Sequence, residues 1–175
     1  MLIDLSELLS VSGKSVDVPA TVEMEKFHSK VADYPIIGKS PFVIHLANTG
    51  KKMVTISFET EVELLLPCDR CLEDVRYTVN IKMNKEIDMN ESDEERIESM
   101  DELSFIKEGE LDVERLIYNE ILVHLPMKVL CNENCKGICN RCGANLNSQT
   151  CDCDTTELDP RMSKIRDIFN NFKEV

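Results

Sequence analysis

The sequence predicts an α+β fold: an antiparallel, curled or barrel-like sheet with a long hairpin, followed by a packed helix and a C-terminal cysteine-rich module that itself ends in a helix. Three observations carry this. Apolar and polar side chains alternate through two runs on either side of "PCDRC", helical spacing sets in only after residue 111, and six of the eight cysteines fall between Cys131 and Cys153.

In "KKMVTISFETEVELLLPC", Val54, Ile56, Phe58, Val62, Leu64 and Leu66 share one parity, and Thr55, Ser57, Glu59, Glu61 and Glu63 the other. Period two places alternate side chains on opposite faces, so this is a half-buried strand. The alternation resumes in "DVRYTVNIKMNK", with Val75, Tyr77, Val79, Ile81 and Met83 on one face. The short connection between the runs holds Cys68 and Cys71, which puts a dithiol at the tip of a hairpin. "PFVIHL", set off by the turn-like "NTGKK", is expected to pair with the first of these strands, and "VDVPATVEMEKF" to add another. Pro19 marks that one as an edge or a strand start, because proline cannot donate to a ladder.

From Glu86 to Glu114 the chain carries 13 acidic residues against two basic ones, so most of the net charge of -13 lies in one stretch. Residues 86–111 are expected to form a solvated acidic loop. "LDVERLIYNEILVHLP" then reads as a helix: Asp112 caps it, Val113, Leu116, Ile117 and Ile121 recur at helical spacing, and Pro126 bars its continuation. In "DPRMSKIRDIFNNF", Asp159 is the cap, Pro160 takes the first helical position, and Met162, Ile165, Ile168, Phe169 and Phe172 are expected to make its buried face. These signals divide the 175 residues into a sheet domain, 1–125, holding the acidic loop and the packed helix, and a module, 126–175. No apolar run approaches the roughly 20 residues of a membrane span, and the N-terminus lacks the pattern of a secretory signal. A cytoplasmic address with no membrane partner is the expectation.

In a reducing compartment, closely spaced cysteines are metal ligands or redox groups before they are structural disulfides. The cluster runs Cys131-x3-Cys135-x3-Cys139-x2-Cys142-x8-Cys151-x1-Cys153. Zinc takes four soft ligands at tetrahedral corners, and a two-residue gap lets neighbouring sulfurs reach one ion from a single turn. Cys139 and Cys142 meet that demand, with Gly143 free to fold the chain back beneath them, and Cys151 and Cys153 bring a second pair. Six thiols exceed four positions, so Cys135 and Cys131 compete for the same ion. If Cys68 and Cys71 lie near the cluster, eight thiols furnish two four-thiolate sites. The ferredoxin spacings of an iron-sulfur cluster are not present.

A closed all-thiolate zinc is structural, whereas a catalytic zinc keeps a position for water. His28, His45 and His124 are scattered, and no phosphate-binding loop or nucleophile elbow occurs, so the chain reads as a non-enzyme with no small-molecule substrate. Arg70, Arg76, Lys136 and Arg141 stand near the cysteine turns and form a candidate contact patch. Two further readings remain open: a redox-responsive zinc-thiol chaperone, since close thiol pairs can exchange metal for disulfides, and a zinc-ribbon adaptor.

Taken together, "LPCDRCLEDV", "LDVERLIYNEILVHLPMKVLC", "CKGICNRCGANLN", "CDC" and "DPR" resemble the YceD family of large ribosomal RNA subunit accumulation proteins, and "IDLSEL" at the start is similar too. The resemblance implies a non-enzymatic bacterial cytoplasmic factor needed for accumulation of large-subunit ribosomal RNA, acting in ribosome assembly. Its implied partner is the large-subunit precursor, reached through ribosomal proteins or ribosomal RNA. The acidic stretch repels phosphate and attracts basic proteins, which keeps both routes open.

Overall fold

The computed structural model describes residues 1–30, 32–90, 105–107, 109–153, 165 and 168. Along the chain run β1 (Leu2–Asp4), α1 (Ser6–Ser10), β2 (Ser15–Ala20), β3 (Lys26–His28), β4 (Asp33–Lys39), β5 (Phe42–Gly50), β6 (Met53–Pro67), β7 (Asp74–Asp88), β8 (Ile106–Lys107), β9 (Glu110–Asp112) and α2 (Val113–His124). Two compact units result. One comprises Met1–Leu66 and Asp74–Val129, the other Pro67–Glu73 and Leu130–Val175.

The first unit is organised by β6. Its even-numbered side chains from Val54 to Leu66 are buried, which is the alternation the sequence shows. β5 and β4 pair with successive halves of β6, with His45 opposite Ser57 and Ile36 opposite Leu64, both antiparallel. β7 also pairs with β6, while β2 extends β5 and β3 extends β4. The ladder is open rather than barrel-like: among the described residues its path runs β2-β5-β6-β4-β3 with β7 joined to β6 alone. β2 lies at one end of that path, which accommodates Pro19. Lys51 and Lys52 both take positive φ, 52° and 61°, between β5 and β6, the hand that suits the twist of paired strands.

α2 follows its expected outline. The Asp112 carboxylate accepts from the Arg115 backbone N–H at 3.2 Å, and Val113, Leu116, Ile117 and Ile121 are fully buried. Glu114 accepts from the backbone N–H groups of Glu23 and Met24, and Tyr118 stacks on Phe27 and donates to the His28 carbonyl. The helix therefore fixes the segment that leads into β3.

Three features depart from the sequence reading. β4 was not expected, because Pro35 and Gly38 interrupt its alternation; it forms as the continuation of β5 along the same edge of β6. The stretch expected as an acidic loop begins within β7 and ends in β8 and β9, which join β1 in a three-stranded sheet. Phe105 and Leu111 are buried there, so apolar burial overrides the local charge. Residues 91–104 and 108 of that stretch, and most of the C-terminal helix, lie outside the described residues. Ile165 and Ile168 are helical but exposed, at 45% and 55%, rather than part of a buried face. No helix among the described residues is long and apolar enough to cross a membrane.

Among the described residues Asn48 and Thr60 are the buried polar side chains, and the Asn48 amide donates to the carbonyls of Leu8 and Val11 at the end of α1 while its oxygen accepts from Gly50 N–H. Replacing Asn48 removes the buried side-chain donor of the Leu8 carbonyl and the oxygen that holds Gly50 N–H, while the Val11 carbonyl keeps the Lys14 N–H at 3.3 Å. Asn48→Ala is therefore expected to cost about 2–3 kcal/mol, read as a lowered urea midpoint with an unchanged slope.

Candidate metal centres

The turn after β6 is built around its thiols. In Cys68-Asp69-Arg70-Cys71, Leu72 N–H returns to the Cys68 carbonyl at 2.9 Å and Cys68 N–H to the Glu73 carbonyl at 2.8 Å. Leu72 takes φ +62°, a left-handed conformation that costs a side chain about 1–2 kcal/mol. Cys139-Asn140-Arg141-Cys142 repeats the design: Gly143 N–H bonds the Cys139 carbonyl at 2.9 Å, and Gly143 takes φ +74° without that cost. Each turn aims two sulfurs the same way.

Two further pairs complete the sets. Cys68, Cys71, Cys131 and Cys135 gather their sulfurs within 4.8 Å of one another, and so do Cys139, Cys142, Cys151 and Cys153. All eight belong to the second unit, and none is in a disulfide. A thiolate sits about 2.3 Å from zinc, so tetrahedral geometry separates ligand sulfurs by about 3.8 Å. Cys68 and Cys135 are 3.8 Å apart and Cys71 and Cys131 3.5 Å. The donor sets fit a soft tetrahedral ion. The six-thiol competition thus resolves into two groups of four, with Cys131 and Cys135 serving the hairpin pair and Cys139, Cys142, Cys151 and Cys153 forming the second set.

What holds Cys131 and Cys135 against the turn is a reciprocal contact with Arg70, one bond from its side chain and one to its backbone. Arg70 Nη1 donates to the Cys135 carbonyl at 2.7 Å, and the Arg70 carbonyl accepts from Ile138 N–H at 3.0 Å. Between them Gly137, at φ +79°, lies so close that a Cβ would meet the Arg70 carbonyl oxygen at 2.9 Å. Asn147 Nδ2 donates to the Cys135 sulfur at 3.3 Å and Cys131 N–H to the Cys68 sulfur at 3.4 Å. Such N–H groups offset the double negative charge that four thiolates leave on a divalent ion. Asn147 Oδ1 accepts from Lys136 N–H, and Asn145 donates to Glu73. Gly137, Asn145 and Asn147 escaped the sequence reading; the "NLN" that follows the second CxxC was the signal for the two asparagines, and the glycine between Cys135 and Cys139 the one for Gly137.

Close thiols share protons unequally. Burial acts to raise Cys68, but backbone N–H groups of Arg70, Cys71 and Cys131 outweigh it and lower the thiol to about 6. The N–H groups of Cys142 and Arg141 lower Cys139 to about 6. The Glu73 N–H pulls Cys71 down, yet burial and the neighbouring sulfurs together push it up to about 12; Cys153 is pushed up to about 12 chiefly by Cys142. Raised thiols hold their protons at neutral pH, and a cation must displace them. Of the candidate contact residues, Arg70, Lys136 and Arg141 are exposed in this unit, and Arg76 is exposed on β7 in the other.

Three outcomes follow from this geometry. Gly137→Ala is expected to destabilise the second unit by about 2–4 kcal/mol and to lower metal content by elemental analysis, whereas Gly143→Ala, whose Cβ would meet nothing within 4 Å, should lose only about 1 kcal/mol. Cys135→Ser and Cys142→Ser should each lose one ion of two, from different centres. Apparent metal affinity in a chelator competition should fall as pH drops from 8 to 6, with protons released on binding.

The model of the family described as "Large ribosomal RNA subunit accumulation protein YceD" matches residues 56–169, a span that takes in all eight cysteines. The chain is 25% identical over 170 residues to "Uncharacterized protein YlbN" of Bacillus subtilis (strain 168), covering 96% of both. It is 38% identical over 60 residues to "Large ribosomal RNA subunit accumulation protein YCED homolog 1, chloroplastic" of Arabidopsis thaliana, covering 34% of this chain and 19% of that protein. An uncharacterized protein of Mycobacterium tuberculosis (strain ATCC 25618 / H37Rv) is 28% identical over 102 residues, 58% of this chain and 49% of the relative. No solved structure matches. With the family's model covering both cysteine turns and most of the chain, this protein belongs to the YceD family.

Proposed function

We propose that the chain is a non-enzymatic cytoplasmic factor for the accumulation of large-subunit ribosomal RNA, acting in ribosome assembly, and that its second unit is a scaffold set by two structural zinc ions. The observation that carries this reading is the family match across residues 56–169, which contains both groups of four cysteines. The chemistry of those groups supports a scaffold. Four sulfurs close the coordination of a zinc ion, leaving no position at which water or a substrate is activated. Zinc is favoured because all-sulfur tetrahedral sites suit it and because each set includes a CxxC turn.

The partner in this reading is the large-subunit precursor, through ribosomal proteins, ribosomal RNA, or both. Lys136 and Arg141 are exposed cations of the second unit, while the Arg70 guanidinium is engaged with the Cys135 carbonyl and serves the scaffold first. The test is crosslinking and copurification from growing cells, with RNA and protein identified together, alongside the ratio of large- to small-subunit ribosomal RNA in a depleted strain. The expected result is cosedimentation with large-subunit precursors and a lowered ratio on depletion. Recovery with RNA polymerase, or a holdase activity that appears only after peroxide, with the ratio unchanged, would reject the assembly reading.

A further inference from the structure

We propose that the two centres differ in lability: Cys139, Cys142, Cys151 and Cys153 form an exchangeable site for soft divalent ions, while Cys68, Cys71, Cys131 and Cys135 retain theirs. This rests on the reading that both groups bind metal.

Access is the first argument. A competing chelator or thiol displaces a bound sulfur by approaching the ion from solvent. In the first group Cys68, Cys71 and Cys135 are at most 5% exposed, and only Cys131 is partly open. In the second group only Cys139 is buried; Cys151 and Cys153 are partly open and Cys142 is exposed. Among the described residues the second centre is the more open, with three of its four cysteines at least partly exposed against one of four in the first.

Construction is the second argument. The first centre joins segments 60 or more residues apart in sequence, Cys71 to Cys131 and Cys68 to Cys135. Opening it means parting Arg70 from Cys135 and Ile138, Glu73 from Asn145, and the Asn147 amide from the Cys135 sulfur. The second centre lies within one stretch, Cys139 to Cys153, and can let go of its ion by local loosening around Cys142. Its occupancy would then follow the supply of thiophilic ions while the first centre keeps the hairpin turn docked.

The test uses full-length protein loaded with zinc under reductant and challenged with 4-(2-pyridylazo)resorcinol. The expected course is two phases of equal amplitude, with rates roughly tenfold or more apart, the factor that about two net hydrogen bonds supply. Cys142→Ser and Cys153→Ser should lose the fast phase and keep the slow one. Cadmium-113 NMR of the unmutated protein gives a second readout independent of how the variants fold: when cadmium-113 is added to the zinc-loaded protein, two resonances are expected, of which one grows in first. Two ions released at one rate, or a slow phase lost in Cys142→Ser, overturns the inequality and leaves the metal reading standing. Unmutated protein that takes up no ion overturns both.

Discussion

A tetrahedral ion needs four sulfurs about 3.8 Å apart, and a CxxC turn supplies two. In the proposed metal-bound form that shortfall governs the second unit. Cys68 and Cys71 cannot complete a set from their own turn, because the chain leaves at once into β7. Their partners must come from elsewhere, and Cys131 and Cys135 provide them. Loop length alone does not explain why such a distant pairing is stable. Going from a loop of some 15 residues to one of some 60 adds only about 1.2 kcal/mol of closure entropy, since each doubling costs about 0.6. The decisive contributions are the bonds that join Arg70 to Cys135 and Ile138, the close approach of Gly137 between them, and the burial of three of the four cysteines.

The two CxxC turns show the same demand met by different residues. Each has an arginine before its second cysteine and a left-handed residue after it. At Gly143 that conformation is free, and the turn stands in an open setting where a Cβ would meet nothing. At Leu72 it carries a penalty that glycine would avoid, and the side chain is 64% exposed, so no burial of its own repays the strain. The strained turn persists because its backbone is fixed at both ends, by Glu73 on Cys68 and by Ile138 on Arg70. A surrounding structure that over-determines a conformation is what allows it to hold one.

The parts of this arrangement that repeat with a period were legible in the sequence, and the parts made by distant pairing were not. β6 and β7 announced themselves because alternate residues from Val54 to Leu66 and from Val79 to Met83 face a core. α2 did so because Asp112 is a capping residue and Val113, Leu116, Ile117 and Ile121 keep helical spacing. β1, β8 and β9 have two or three residues each, too few to establish a period, and become strands only through one another. β4 carries Pro35 and a bulge between Ile36 and Gly38, so only Tyr34 and Ile36 on its inward parity are apolar, too few to establish a period. Among the cysteines, identity and number pointed to metal, but spacing could not assign Cys131 and Cys135, because their place depends on Gly137 meeting a carbonyl 67 residues earlier. A contact of that kind leaves no local trace beyond a glycine.

Charge and thiol chemistry divide the molecule in a way that bears on its action. The acidic excess lies between Glu86 and Glu114, whereas every thiol lies in the second unit, where Arg70, Lys136 and Arg141 are exposed. Four thiolates on a divalent ion leave two negative charges, and a cluster that stays compact needs nearby donors and cations to offset them. Arg70 does this through the Cys135 carbonyl and Asn147 through the Cys135 sulfur. Basic residues around such a centre therefore have a structural reason to be there before any partner is invoked. In the assembly role proposed above, Lys136 and Arg141 are the exposed cations left to meet a partner, since Arg70 is committed to holding the turn in place.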